Sequence, residues 1–224
     1  MKQYKYLDIL TVISVAIMLA TQVSNGKIVE LGPFTISVAI VFFPITYLLS
    51  DIFTEVYGYA QARRVVWKNF MALVIAAILY QIVIYLPPAA SFTGNAAYVQ
   101  ILGAVPRFLI GGWLALLAGS FLNDYVMAKM KVWTKGKYLW TRTIVSTMVA
   151  EVGDTLFFYP IAFYGTLPNR VILSLMLGGW FVKVAVEVIL TPLTYYVVNK
   201  LKKWETEDYY DVNTDFNPFT LKVK

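Results

Sequence analysis

Six stretches of this chain are long and apolar enough to cross a bilayer, and that repetition leaves little choice of fold. They run over Leu7–Val23, Phe34–Tyr57, Phe70–Leu86, Ile101–Ala128, Thr141–Tyr164 and Val171–Val198. A hydrocarbon core offers backbone groups no water, so apolar segments of about 20 residues read as helices that satisfy their own hydrogen bonds. The composition agrees. Of the 224 residues, 59% are hydrophobic and only 14% charged, where an ordinary soluble domain has about a quarter charged. The expectation is an all-α integral membrane protein. Residues 1–200 would form a six-transmembrane-helix bundle, and 201–224 a polar acidic cytoplasmic tail.

The connecting segments set the orientation. Lysine and arginine gather at Lys2 and Lys5, at Arg63, Arg64 and Lys68, at Lys129, Lys131, Lys135, Lys137 and Arg142, and after Val198. The intervening segments hold only Lys27 and Arg170. The positive-inside bias then puts both termini in the cytoplasm, with the bundle in the cytoplasmic (inner) membrane and in contact with its lipid. The net charge of +6 serves this topology, so nucleic acid is not an expected partner. Ser24–Pro33 reads as a turn, and Gly58–Lys68 and Lys129–Trp140 as basic loops. Pro44 is expected to bend the second span from within.

Cleavage of the first helix as a signal peptide would place Met18 at the −3 position, against the small-residue rule, so the helix reads as retained. Its Ala16 and Ala20 form a small-xxx-small pair, read first as packing inside the bundle. Trp204–Lys224 carries Glu205, Glu207, Asp208, Asp211 and Asp215. It reads as surface-lying or poorly ordered.

The chain has no cysteine and no histidine. Thiolate or imidazole metal sites, disulfides and histidine catalysis are therefore excluded. No cofactor or metal is expected, and no enzyme. Intramembrane aspartyl proteolysis fails on pattern. Val152-Gly153-Asp154 supplies half of a Gly-x-Gly-Asp motif, and Asp124-Tyr125 reverses the Tyr-Asp order.

What remains is a set of ionisable side chains at membrane depth. Glu151 and Asp154 lie ~13 and ~18 Å beyond Arg142, near the middle of a ~30 Å slab and on one helix face. A charge there costs at least ~2.5–3.5 kcal/mol, which a partner charge, a wet cavity, a proton or a ligand must offset. Counted back from Lys200, Glu187 and Lys183 lie ~20 and ~25 Å up their helix. They read either as an intrahelical pair or as part of the same site. Asp51, Glu55 and Asp124 lie nearer the cytoplasmic ends. Ion pairing with Arg63, Lys129 or Arg142 and a gate or ion-coupling role are both open for them. Arg107, ~33 Å from Lys129, is expected to snorkel at the outer boundary. Trp113, Phe157, Phe158 and Trp180 stand beside polar positions, where a planar ring could stack or the aromatics could simply pack.

PITYLLSDIFTEVYG (residues 44–58), FLNDYVMAKMK (121–131) and TKGKYLWTRTIVSTMVAEVGDT (134–155) together resemble the bacterial queuosine precursor transporter family, earlier described as vitamin uptake transporters. The resemblance covers roughly Leu7–Val198 and leaves the acidic tail outside. It implies import of 7-deazaguanines such as preQ0 or preQ1 for queuosine synthesis in tRNA. It also implies a fold similar to the substrate-binding subunits of energy-coupling-factor transporters. A homodimer is the assembly it suggests, with an energising partner subunit as the alternative. A guanine-like ring fits the residues: paired N–H donors suit a carboxylate, the 6-oxo group a donor such as Asn123 or Lys183. The expected substrate site is Glu151 and Asp154 on the base edge, completed by Asn123, Asp124, Lys183 and Glu187, with Trp113, Phe157 and Trp180 as aromatic walls. Asp51 and Glu55 are the expected gate or ion-coupling residues. The rivals are a carrier or channel for another purine, vitamin or ion, and a non-transporting assembly subunit.

Overall fold

The structure, a computed structural model, describes residues 4–32 and 34–220. Among them are five helical stretches long and apolar enough to cross a membrane: Leu7–Ser24, Tyr59–Tyr85, Asn95–Trp133, Leu139–Phe163 and Asn169–Glu205. In chain order the helices are α1 (Leu7–Ser24), α2 (Phe43–Tyr57), α3 (Tyr59–Tyr85), α4 (Asn95–Leu102), α5 (Val105–Ala118), α6 (Ser120–Trp133), α7 (Leu139–Phe163) and α8 (Asn169–Glu205). The third stretch is thus α4, α5 and α6, interrupted after Leu102 and at Gly119.

The expected helix over 34–57 is not continuous. Ile28–Leu31 (β1) and Phe34–Ser37 (β2) pair as an antiparallel hairpin, followed by a 3-10 turn over Val38–Val41. The segment is rich in β-branched and aromatic residues (Ile28, Val29, Phe34, Thr35, Ile36), which suit a pleated surface better than a helix. Gly32 supplies the positive φ of +57° that the reversal needs. Pro44 therefore stands in the first turn of α2, where a missing N–H costs nothing, and not inside a long helix. The hairpin and α2 together still run the length of α8. Ile28 packs against the apolar cluster that includes Ile172 and Leu175 near its start, and the Tyr57 hydroxyl donates to Glu205 at its end (2.9 Å).

The basic loops are also shorter than expected. Residues 59–68 form the first turns of α3, and the 129–140 stretch contributes its first residues to α6 and its last two to α7. The apolar window located the membrane crossing but not the helix ends, which continue beyond it as charged turns. Pro160 and Pro192 lie inside α7 and α8 and do not end them. Arg107 has specific partners. It donates to the carbonyls of Ile161 (2.8 Å) and Tyr164 and so satisfies the open C-terminal end of α7. Ala16 and Ala20 are exposed on the outside of the bundle, so packing within it is not their role.

The acidic tail has a definite course over the end of the bundle. The Asp208 carboxylate takes Lys131 (2.7 Å) and Lys202 (2.8 Å). Asp211 accepts the Tyr59 N–H (3.1 and 3.2 Å), Arg63 donates to the carbonyls of Asp215 and Asn217 (2.7 Å each), and Trp67 donates to that of Pro218 (2.7 Å). Arg63, expected as a loop charge, is wholly buried beneath it.

Close approach of α7 to the α5–α6 junction positions the centre of the molecule. A Cβ on Gly153 would meet the Cβ and carbonyl oxygen of Ala118 at 3.2 Å, and one on Gly119 would meet the Ala150 carbonyl and Asp154 Cβ at 3.3 Å. Gly153→Val should therefore push α7 outward, at an overpacking cost of about 1–3 kcal/mol. Thermal unfolding in detergent checks this: an unchanged midpoint would mean the helices can part freely.

Candidate functional site

A cavity of about 110 Å³ lies among α1, α2, α3, α5, α6 and α7. A single water needs ~10–15 Å³ by the same measure, so the space suits a small molecule. Its aromatic wall includes Tyr47, Phe53, Phe70, Trp113 and Phe158. Phe70 and Trp113 stack with centroids 5.1 Å apart and planes 19° from parallel. Polar groups come from Gln22 on α1, Asn69 on α3, Asn123 and Asp124 on α6, and Asp154 on α7.

Three of these side chains share a pattern: each is held through one polar atom and left with a bare acceptor. Asn123 donates through Nδ2 to Asp51 Oδ1 (3.2 Å), and its Oδ1 is buried without a hydrogen bond. Asp124 Oδ1 accepts from Ser50 (2.8 Å) and Thr54 (3.0 Å), and its Oδ2 has none. Asn69 Nδ2 donates to Ser14 Oγ (2.8 Å), and its Oδ1 has none. Gln22 Oε1 is likewise bare. Leaving a buried acceptor unmet costs ~1–3 kcal/mol, so a cavity edged with four such atoms calls for a donor-rich occupant.

The expected carboxylates divide. Asp154 lines the cavity, its side chain 15% exposed, whereas Glu151 is sealed behind it. Lys183 Nζ joins them, 2.7 Å from Asp154 Oδ2 and 2.8 Å from Glu151 Oε2. The contact to Glu151 misses hydrogen-bond direction, so both Glu151 oxygens stay without a hydrogen bond while the ion pair holds. Lys183 thus bridges α8 to α7. Glu187 is buried with Oε1 bare, and Asp51 is buried with Oδ2 bare; neither lines the cavity.

Two expected members lie elsewhere. Phe157 is 46% exposed on the outer face of α7, because its neighbour Phe158 takes the inward position. Trp180 borders a separate outer groove with Leu122, Val149 and Val152. Glu55 sits in an ion cluster with Arg142 (2.8 Å), Lys202 (2.6 Å) and Lys131 (3.5 Å) at the tail end of the bundle. Arg142 was a partner expected for these carboxylates; Arg63 and Lys129 instead hold the tail, Lys129 over the Phe216 ring. Gln22 and Asn69 were missed. The spacing of Ser14, Met18, Thr21, Gln22 and Asn25, all on the cavity, could have exposed one polar stripe on an otherwise apolar α1.

The pattern that defines the family described as "Putative vitamin uptake transporter" matches residues 37–197. The chain belongs to this family. The match to the family runs from β2 through most of α8, so it includes Asn69, Asn123, Asp124, Glu151, Asp154 and Lys183 and leaves Gln22 outside. A "Probable queuosine precursor transporter" of Bacillus subtilis (strain 168) is 32% identical over 170 residues, 75% of this chain and 74% of the relative. A "Queuosine precursor transporter" of Escherichia coli (strain K12) is 25% identical over 122 residues, 54% of this chain and 52% of that relative. No solved structure matches the chain. With its apolar helices, the chain is a multi-pass membrane protein of a transporter family.

Proposed function

We propose that this chain imports queuosine precursors, 7-deazaguanine bases such as preQ0 or preQ1, for tRNA modification. Family membership and the names of both relatives support the substrate class. The observation that carries it is the pair of bare acceptors, Asn123 Oδ1 and Asp124 Oδ2, on an aromatic-walled cavity. The N1–H and 2-amino group of a guanine-like ring are adjacent donors that such a pair can accept together, while the ring face lies against Trp113, Phe70 or Phe158. Asp154, presented to the cavity and held by Lys183, would meet a further donor or an aminomethyl cation. Glu151 and Lys183 then act as positioning residues behind it. The Glu55 cluster, with Asp51 above it, serves as the closed inner gate.

In the proposed topology the hairpin and α2 make the sixth crossing beside α8, in a bundle similar to energy-coupling-factor substrate-binding subunits. Both termini face the cytoplasm, the membrane is the inner one, and the working unit is a homodimer. The direct test uses cells unable to make the precursor, given each candidate base with and without this chain. Restored queuosine in tRNA is the expected result, lost by at least tenfold in Asp154→Asn and Asn123→Leu variants expressed at normal levels, since each leaves a ligand donor unmet. Full uptake by both variants would remove those residues from the site.

A further inference from the structure

Resting on that reading, the structure assigns a second recognition edge to Gln22 and Asn69, which the substrate pattern of carboxylates does not include. Both are at least nine-tenths buried, at 8% and 7% exposure, and both line the cavity from the α1–α3 side. The α2–α6 side holds Asn123 and Asp124, tied to Asp51, Ser50 and Thr54. Asn69 donates through Nδ2 to Ser14 Oγ at 2.8 Å and leaves its Oδ1 a bare acceptor. Gln22 Oε1 adds a second bare acceptor from the neighbouring helix.

A single edge of a guanine-like base has too few donors for acceptors on both walls. If Asn123 and Asp124 take N1–H and the 2-amino group, the next N–H belongs to the five-membered ring, at the opposite edge. That N9–H exists in the free base and is replaced by a carbon in its nucleoside. Gln22 and Asn69 thus make the site selective for a planar base with N–H donors on two opposite edges. A nucleoside would leave these acceptors buried and unmet, and a polar site rejects such analogues more strongly than an apolar pocket rejects added bulk.

The test is ligand-dependent thermal stabilisation and competition for uptake, using the full chain in lipid vesicles with 7-deazaguanine and 9-methyl-7-deazaguanine as probes. Wild type should bind the parent base at least about tenfold more tightly than the 9-methyl analogue. In Asn69→Leu and Gln22→Leu that ratio should fall toward one, chiefly through weaker binding of the parent. Equal binding of the two probes by wild type overturns the inference, and so does an unchanged ratio in folded variants. Equal binding by wild type overturns the inference even if a variant does not fold. Absence of any binding of the parent base removes the transport reading itself, and the second edge with it.

Discussion

Glu55→Gln should lower the stability of this protein by about 3–5 kcal/mol, the usual cost of removing one partner from a buried ionic cluster. The carboxylate is fully buried and is shared by Arg142 at 2.8 Å, Lys202 at 2.6 Å and Lys131 at 3.5 Å. Without it, Lys131 and Lys202 keep only Asp208, whose side chain is 43% exposed, and Arg142 keeps only neutral acceptors such as the Lys137 carbonyl. The cost is then mutual repulsion among cations that α2, α6, α7 and α8 hold together. For a chain of this size it corresponds to a fall of roughly 10 °C in thermal midpoint. Asp208→Asn, at the wet rim of the same cluster, should cost much less, because screening reduces exposed pairs to about 0–1 kcal/mol. Differential scanning of both variants in detergent checks the contrast, and equal losses would place the energy in the tail and not in Glu55.

Acid should loosen the tail by a related route. Burial pushes the Asp208 carboxyl up, but hydrogen bonds from Lys131 and Lys202 outweigh it and hold the group below the usual carboxylate range. A depressed folded value means that the contribution is complete above the ordinary carboxylate pKa and is lost as pH falls through the folded one. Asp211 behaves oppositely. Burial raises it, against its bonds from Thr214 and the Tyr59 N–H, so ionising it as pH rises works against the fold.

The tail is also where the sequence was least legible. Five carboxylates among aromatics look disordered when read as a local composition. Their partners lie far off in the chain: Asp208 meets Lys131 from 77 residues away, and Arg63 reaches the carbonyls of Asp215 and Asn217 across 152 and 154 residues; with Lys202 also on Asp208, these contacts exist only once α3, α6 and α8 are side by side. The apolar spans were legible because hydrophobic length is a local property. The break at Ser37–Phe42 was not, since Val38, Ala39, Ile40 and Val41 keep the window apolar through a 3-10 turn. At the site, attention to polar groups at membrane depth picked out Asp154, Asn123 and Asp124, which line the cavity. It passed over Gln22 and Asn69, which carry no charge yet hold two of the four bare acceptors on the cavity.

Lys183→Met should be the second large loss, and its rescue separates charge from volume. Lys183 is the cation at 2.8 Å from Glu151 and 2.7 Å from Asp154, deep in the bundle between α7 and α8. Methionine keeps the stem length but leaves two carboxylates facing each other, so folding should fall by about 3–5 kcal/mol. Neutralising both in Lys183→Met/Glu151→Gln/Asp154→Asn removes the repulsion and should recover most of the folded yield by size exclusion in detergent. Uptake should stay absent, because Asp154 alone of the three reaches the cavity. A triple variant as unstable as the single one would mean that the lysine matters for packing and not for charge. Recovered uptake in the triple variant would mean that the cavity binds its cargo without any carboxylate from α7, and the polar burden would then rest on Asn123, Asp124 and the amides of α1 and α3.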